Sequence, residues 1–313
     1  MSFLERLAGI FDNPLIIKDG VSRMRSWRAP VVITAYLGLL GAFGFAVFVV
    51  TLLTAQGSRA VSATVGAYVF GALAYFQLAL ICLFTPALAA GAISGERERQ
   101  TFDVLLVSRV TAAGIIWGKL VASLAYVLLL ILTALPLYAA VFLFGGIDFE
   151  QFLLTQLLTV VAALVIGAQS LFFSALFRRT LPSTVMSYAG AFALTVGTAL
   201  LGLLLTYLAA ARRGTFNTAE THLLLFANPI YSMGVVLSST SQSMHLGRIL
   251  QVFVISDARP SSAGPQIDPW VATLLASLAW SALCLLGSWF LVRGRRNLQP
   301  RRRTRPEPLE AAL

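Results

Sequence analysis

The 313-residue chain is 58% apolar and only 12% charged, with 23 lysines and arginines against 13 acidic residues. Soluble domains carry about twice that share of charge, so the mean hydropathy of +0.82 excludes an ordinary soluble fold. Two cysteines, Cys82 and Cys284, give no disulfide framework and no metal-ligand spacing, and both lie in apolar runs as small packing residues do.

The first 29 residues hold no apolar stretch of the signal-peptide type. Within residues 11–28, Ile17, Val21, Met24 and Trp27 recur at helical spacing, with Lys18, Asp19, Arg23 and Arg25 between them. That pattern predicts an amphipathic helix lying in the membrane interface. A plain basic flank that only sets orientation is the alternative.

Six apolar runs follow, each long enough to cross a bilayer, which takes about 20 helical residues. They are Pro30 to Leu53, Val61 to Ile93, Leu120 to Phe144, Phe152 to Phe177, Pro182 to Ala211 and Trp270 to Val292. None contains Asp, Glu, Lys or Arg. The first run is too long for a cleaved leader and reads as an uncleaved span. The second and fifth exceed what a bilayer needs and are expected to tilt or project into water. Pro86 and Pro136 each remove one backbone donor and are expected to kink their helices.

Two segments between the runs carry structure of their own. In 94–119, Glu96, Arg97, Glu98 and Arg99 gather where the second run ends. Phe102, Leu106, Val110, Ala113 and Trp117 share one helical face, and Val104 and Val107 lie off it. A helix that touches both the membrane and a partner accounts for that pattern, with Gly114 breaking it into two pieces. In 212–269, the apolar stretches 223–237, interrupted by Asn228-Pro229, and 249–255 are too short to span. They predict short helices capping the outer face. His222 and His245 lie here without acidic neighbours and read as surface residues.

The fold expected is an all-α membrane protein. It has about six transmembrane helices, an amphipathic N-terminal interfacial helix, a cytoplasmic coupling helix, and short outer helices between the fifth and sixth spans. Residues 1–299 form a single transmembrane domain, and 300–313 a basic disordered cytoplasmic tail. With both termini inside, only Arg59, Arg212, Arg213, Arg248 and Arg259 of the basic residues fall outside. That asymmetry sets the orientation of a multi-pass protein. The basic collar then meets anionic lipid headgroups, and no nucleic acid is needed to explain it.

Catalytic chemistry lacks parts. There is no H-E-x-x-H pair, no G-x-S-x-G elbow and no close carboxylate pair in a span. Residues 114–119 approach a phosphate-binding loop, but the first glycine is one residue late and Leu120 stands where Ser or Thr would hold magnesium. The spans have no ionisable residue of the kind that couples transport to ions. They do carry Gln77, Gln156 and Gln169, which either join helices or line a polar path.

Gly95-Glu96-Arg97-Glu98, then Thr101, Leu105-Leu106, Val110-Thr111 and Gly118-Lys119, resembles the cytoplasmic signature of the ABC-2 family of ABC transporter permeases. Residues from Asn13-Pro14-Leu15 to Arg25 are similar to the family's interfacial elbow. Asn228-Pro229 is similar to its motif before the last span. Gln100 stands where the family has glycine, and Arg109 where it has proline. The resemblance implies a permease subunit of an ATP-driven transporter, without an ATPase site of its own, in a prokaryotic cytoplasmic membrane. It pairs with a second permease subunit, as a homodimer or heterodimer, and with a cytoplasmic ABC ATPase that carries the ATP and magnesium. The chain itself binds no cofactor and no metal. Family members mostly export lipids, glycans, drugs or peptides. Gly95, Glu96, Arg97, Glu98, Phe102, Leu105 and Leu106 would couple to the ATPase, with Phe102, Leu105 and Leu106 as apolar anchors and Glu96 and Glu98 steering. A membrane anchor or force-transmitting subunit that moves no solute is the alternative reading.

Overall fold

The computed structural model describes residues 27–54, 61–102, 111–211, 228–238 and 269–298, and no strand occurs among them. The helices are α1 (Arg28–Thr54), α2 (Val61–Ala89), α3 (Ser94–Glu98), α4 (Ala112–Phe142) and α5 (Phe149–Leu176). After them come α6 (Thr180–Phe192), a π segment (Ala193–Gly197), α7 (Thr198–Ala211), α8 (Pro229–Ser238) and α9 (Pro269–Leu298). Six stretches among the described residues are long and apolar enough to cross a membrane: α1, α2 running on through α3, α4, α5, α6 continuing through the π segment into α7, and α9. The protein is an all-α, multi-pass membrane protein.

α5 is the axis of the bundle. In its most apolar window 72% of residues are buried, against 17% for α1, and it packs on α9, α2, α6, α4 and α8. Its composition explains this. Ala162, Ala163, Gly167, Ala168, Ser170, Ser174 and Ala175 all face inward, and small residues let helix backbones approach where lipid offers no hydrophobic drive to associate. α1 packs on α2 and α4 through the fully buried Tyr36 and Leu40. Phe70, Tyr138, Phe142 and Phe152 form an aromatic cluster toward the α4–α5 turn.

Three expectations are corrected. The third span begins at Ala112, eight residues before the apolar run, because Thr111 caps it by accepting the Gly114 N–H at 3.1 Å. Gly114 therefore sits inside the first turn of α4 and breaks nothing. Thr111 is extended, at φ −70° and ψ 155°, so Phe102 and Trp117 cannot share one continuous helix. The fifth span is not a single α-helix either, since the π segment interrupts it. Near Asn228-Pro229 the expected short helix is present, as α8. Ile17, Val21 and Met24 of the interfacial helix, and residues 223–227, 249–255 and 300–313, lie outside the described residues. Trp27 is exposed.

Candidate functional site

At the end of the bundle where α2 finishes, one short stretch ties its own span to three others. The Ile93 and Ser94 amides both donate to Ser174 Oγ of α5, at 2.9 and 3.0 Å. Ser183 Oγ of α6 donates to the Ala90 carbonyl at 2.7 Å. Glu96 then accepts from Lys119 Nζ of α4 at 2.9 Å, with both side chains largely sheltered. The same carboxylate accepts from the Thr101 hydroxyl.

Arg97 turns toward α5. Its Nη1 donates to the Phe177 carbonyl at 2.9 Å, where α5 ends and the helix dipole favours a cation. Its guanidinium also lies 4.9 Å above the centre of the Phe102 ring. Glu98 reaches α6 and accepts the Thr180 amide at 3.0 Å and the Thr180 hydroxyl at 2.7 Å. It serves as a borrowed N-cap, since Arg179 offers no side-chain cap to that helix.

The stretch closes in a Schellman turn. Thr101 N–H donates to the Glu96 carbonyl at 3.0 Å, and Gln100 N–H to the Arg97 carbonyl at 3.1 Å. Gln100 holds the left-handed position with φ 58°. This is the position where the family signature has glycine, which adopts positive φ without steric cost.

A second feature lies within the spans. A cleft of about 310 Å³ separates α2 from α6 and is lined by Tyr75, Cys82, Tyr188, Phe192, Thr195 and Ile230, among others. Its lining is almost wholly apolar.

A third is a buried polar cluster to which the first four spans each give one residue. Tyr138 donates to Gln77 Oε1, Gln77 Nε2 to Gln156 Oε1 at 3.4 Å, and the Tyr36 hydroxyl faces the Gln77 amide.

The family model described as ABC-2 family transporter protein matches residues 56–291, three-quarters of the chain. The chain belongs to the ABC-2 transporter family. No curated protein matches it. In this ABC-2 permease the signature residues Glu96, Arg97 and Glu98 fasten the end of α2 to α4, α5 and α6 in turn. Gly95 faces Thr180 of α6, where an added Cβ would meet the Thr180 methyl at 3.6 Å. Glu96 and Glu98 are engaged within the chain. Phe102 is 6% exposed and packs with Ile93, Ala112, Ile115 and Ile116, so its ring is an anchor inside this subunit, not a free one. Leu105 and Leu106 lie outside the described residues.

Of the polar residues, Gln77 and Gln156 meet, whereas Gln169 packs against Gly190 of α6. Sequence reasoning did not pair Lys119 with Glu96, 23 positions away, or assign Ser174, Thr180 and Ser183 any role. Their only signal was the small polar character that lets a helix approach its neighbour.

Proposed function

We propose that this ABC-2 permease is the transmembrane subunit of an ATP-driven exporter. It would work as one of two permease subunits and be driven by a separate cytoplasmic ATPase carrying ATP and magnesium. The observation that supports this reading is the Ile93–Thr101 stretch. The charged groups of the ABC-2 signature hold α2, α4, α5 and α6 at one end, and α2 and α6 are also the helices that flank the apolar cleft. A push on this stretch is therefore delivered to both walls of the cleft together.

The basic residues here, Arg97, Arg99, Lys119, Arg178 and Arg179, favour placing this end in the cytoplasm. Among the described residues, Glu98, Arg99, Gln100 and Thr101 are exposed at this end. Leu105 and Leu106 remain the apolar anchors for an ATPase groove, while Phe102 braces the turn from within.

The test is co-expression with the ATPase, measuring co-purification and ATP-driven transport at matched expression. Leu105→Ala with Leu106→Ala is expected to weaken ATPase retention about tenfold or more, as the loss of interface anchors does. Arg97→Ala is expected to retain the ATPase and lower transport. A wild-type chain that retains no ATPase, or an Arg97→Ala chain that transports normally, would overturn the reading.

A further inference from the structure

A π segment inside a membrane-spanning helix leaves backbone carbonyls that no water is at hand to satisfy. Here side chains bond to carbonyls in and beside it. Thr195 Oγ1 donates to the Ala191 carbonyl at 2.8 Å, and Thr198 Oγ1 to the Leu194 carbonyl at 2.6 Å. The Thr195 carbonyl is claimed from 33 positions away. Asn228 Nδ2 donates to it at 2.7 Å and to Thr198 Oγ1 at 2.8 Å.

Asn228 has no solvent exposure, and its other amide atom is also used. Oδ1 accepts the Ile230 N–H at 2.8 Å, which caps α8, while Pro229 opens that helix at the position where a missing N–H costs nothing. α8 is itself held at two more points. Ser232 Oγ and Thr273 Oγ1 of α9 are 2.5 Å apart, and Gln151 Nε2 of α5 donates to the Val236 and Leu237 carbonyls at 3.2 and 3.4 Å. Asn228 thus joins the irregular turn of the fifth span to a cap fastened on α5 and α9.

We infer that Asn228 is a positioning residue that holds the fifth span in its π-containing register and thereby sets the shape of the cleft between α2 and α6. Thr195 and Val196 of the π segment and Ile230 of α8 all line that cleft. A π turn holds one residue more than an α turn, and one residue corresponds to about 100° of helix rotation. Rewinding the π segment would therefore turn Tyr188 and Phe192 off the cleft wall. Pairing Asn228 with Thr195 opposes that rewinding. The inference rests on the transport reading only for the purpose of the cleft, and its test involves neither ATPase nor substrate.

Cys82 lies on the cleft wall and serves as the reporter. The full-length chain carrying Cys284→Ala is placed in phosphatidylcholine nanodiscs. The rate of Cys82 alkylation by N-ethylmaleimide and the amide exchange across 194–199 and 230–236 are then measured. Asn228→Ser keeps a hydroxyl that can cap α8 but is too short to reach the Thr195 carbonyl, whereas Asn228→Ala loses both contacts. Both variants are expected to change the Cys82 rate and raise exchange across 194–199 by about fivefold, the scale of one lost hydrogen bond. Exchange across 230–236 is expected to rise in Asn228→Ala alone. Values for Asn228→Ser within about twofold of the parent would overturn the inference, because Asn228 would then be only a cap. If Cys82 does not react in any form, the 194–199 exchange decides. Failure of an ATPase to co-purify overturns the transport reading and leaves this inference standing.

Discussion

Gln100 shows how a single side chain can sit against its own backbone. Its φ of 58° places a residue with a Cβ where that atom crowds the following carbonyl. The two hydrogen bonds of the Schellman turn, with Glu96 fastened to α4 and Arg97 to the end of α5 just before it, keep it there. Gln100→Gly removes the crowding without removing a contact made by the signature residues. It is expected to stabilise the protein by about 1 kcal/mol, read as a higher midpoint of thermal unfolding in detergent. An unchanged or lowered midpoint would show that the Gln100 side chain makes a compensating contact. Glu96 carries the opposite lesson. It pairs with the buried Lys119, and removing Glu96 alone leaves that ammonium buried without its counter-ion, which costs far more than the pair contributes.

At the scale of elements, the bundle depends on a few places where backbones nearly touch. An added Cβ at Gly66 of α2 would lie 2.3 Å from the Gly145 carbonyl oxygen in the α4–α5 turn. The atom met there is backbone and not the tip of a flexible side chain, so the turn itself would have to shift. Gly66→Ala is expected to destabilise by about 1–3 kcal/mol. Gly38 of α1 meets nothing within 4 Å of an added Cβ. Gly38→Ala is therefore expected to be neutral or to stabilise by up to about 1 kcal/mol through helix propensity. Thermal unfolding of the two variants side by side checks this, and equal losses at both sites would argue against the close α2–turn contact. Pro86 illustrates a related accommodation. α2 runs through it, and next to the carbonyl that loses its helical donor, the Leu83 carbonyl accepts from the Tyr188 hydroxyl of α6 at 2.9 Å.

At the scale of the whole molecule, the two ends of the bundle differ in charge. Arg97, Arg99, Lys119, Arg178 and Arg179 gather at the end where α2 finishes, while Asp148 and Glu150 lie at the end where α5 begins. With the basic end in the cytoplasm, a single cysteine at Asp148 should react with an impermeant thiol reagent added outside intact cells. Cysteines at Arg99 and Arg178 should react only after the membrane is opened. Labelling at Asp148 and Arg99 from the same side would contradict both the orientation and the six-span topology.

What the sequence determined by itself is the class of the protein. The spans, the charge asymmetry and the Gly95–Lys119 signature are local properties. A run of apolar residues crosses a bilayer whatever its neighbours do, and a basic flank sets its side. Even the misplaced start of α4 was a local matter, a threonine cap hidden by a glycine that looked like a break. The pairing of Glu96 with Lys119, Arg97 with the end of α5, Glu98 with the start of α6 and Asn228 with the π segment was decided only by tertiary structure. Each joins groups 23 to 82 residues apart. Such partners have no periodicity to betray them, since a polar group shut away from water takes whichever donor or acceptor the packed helices bring within reach.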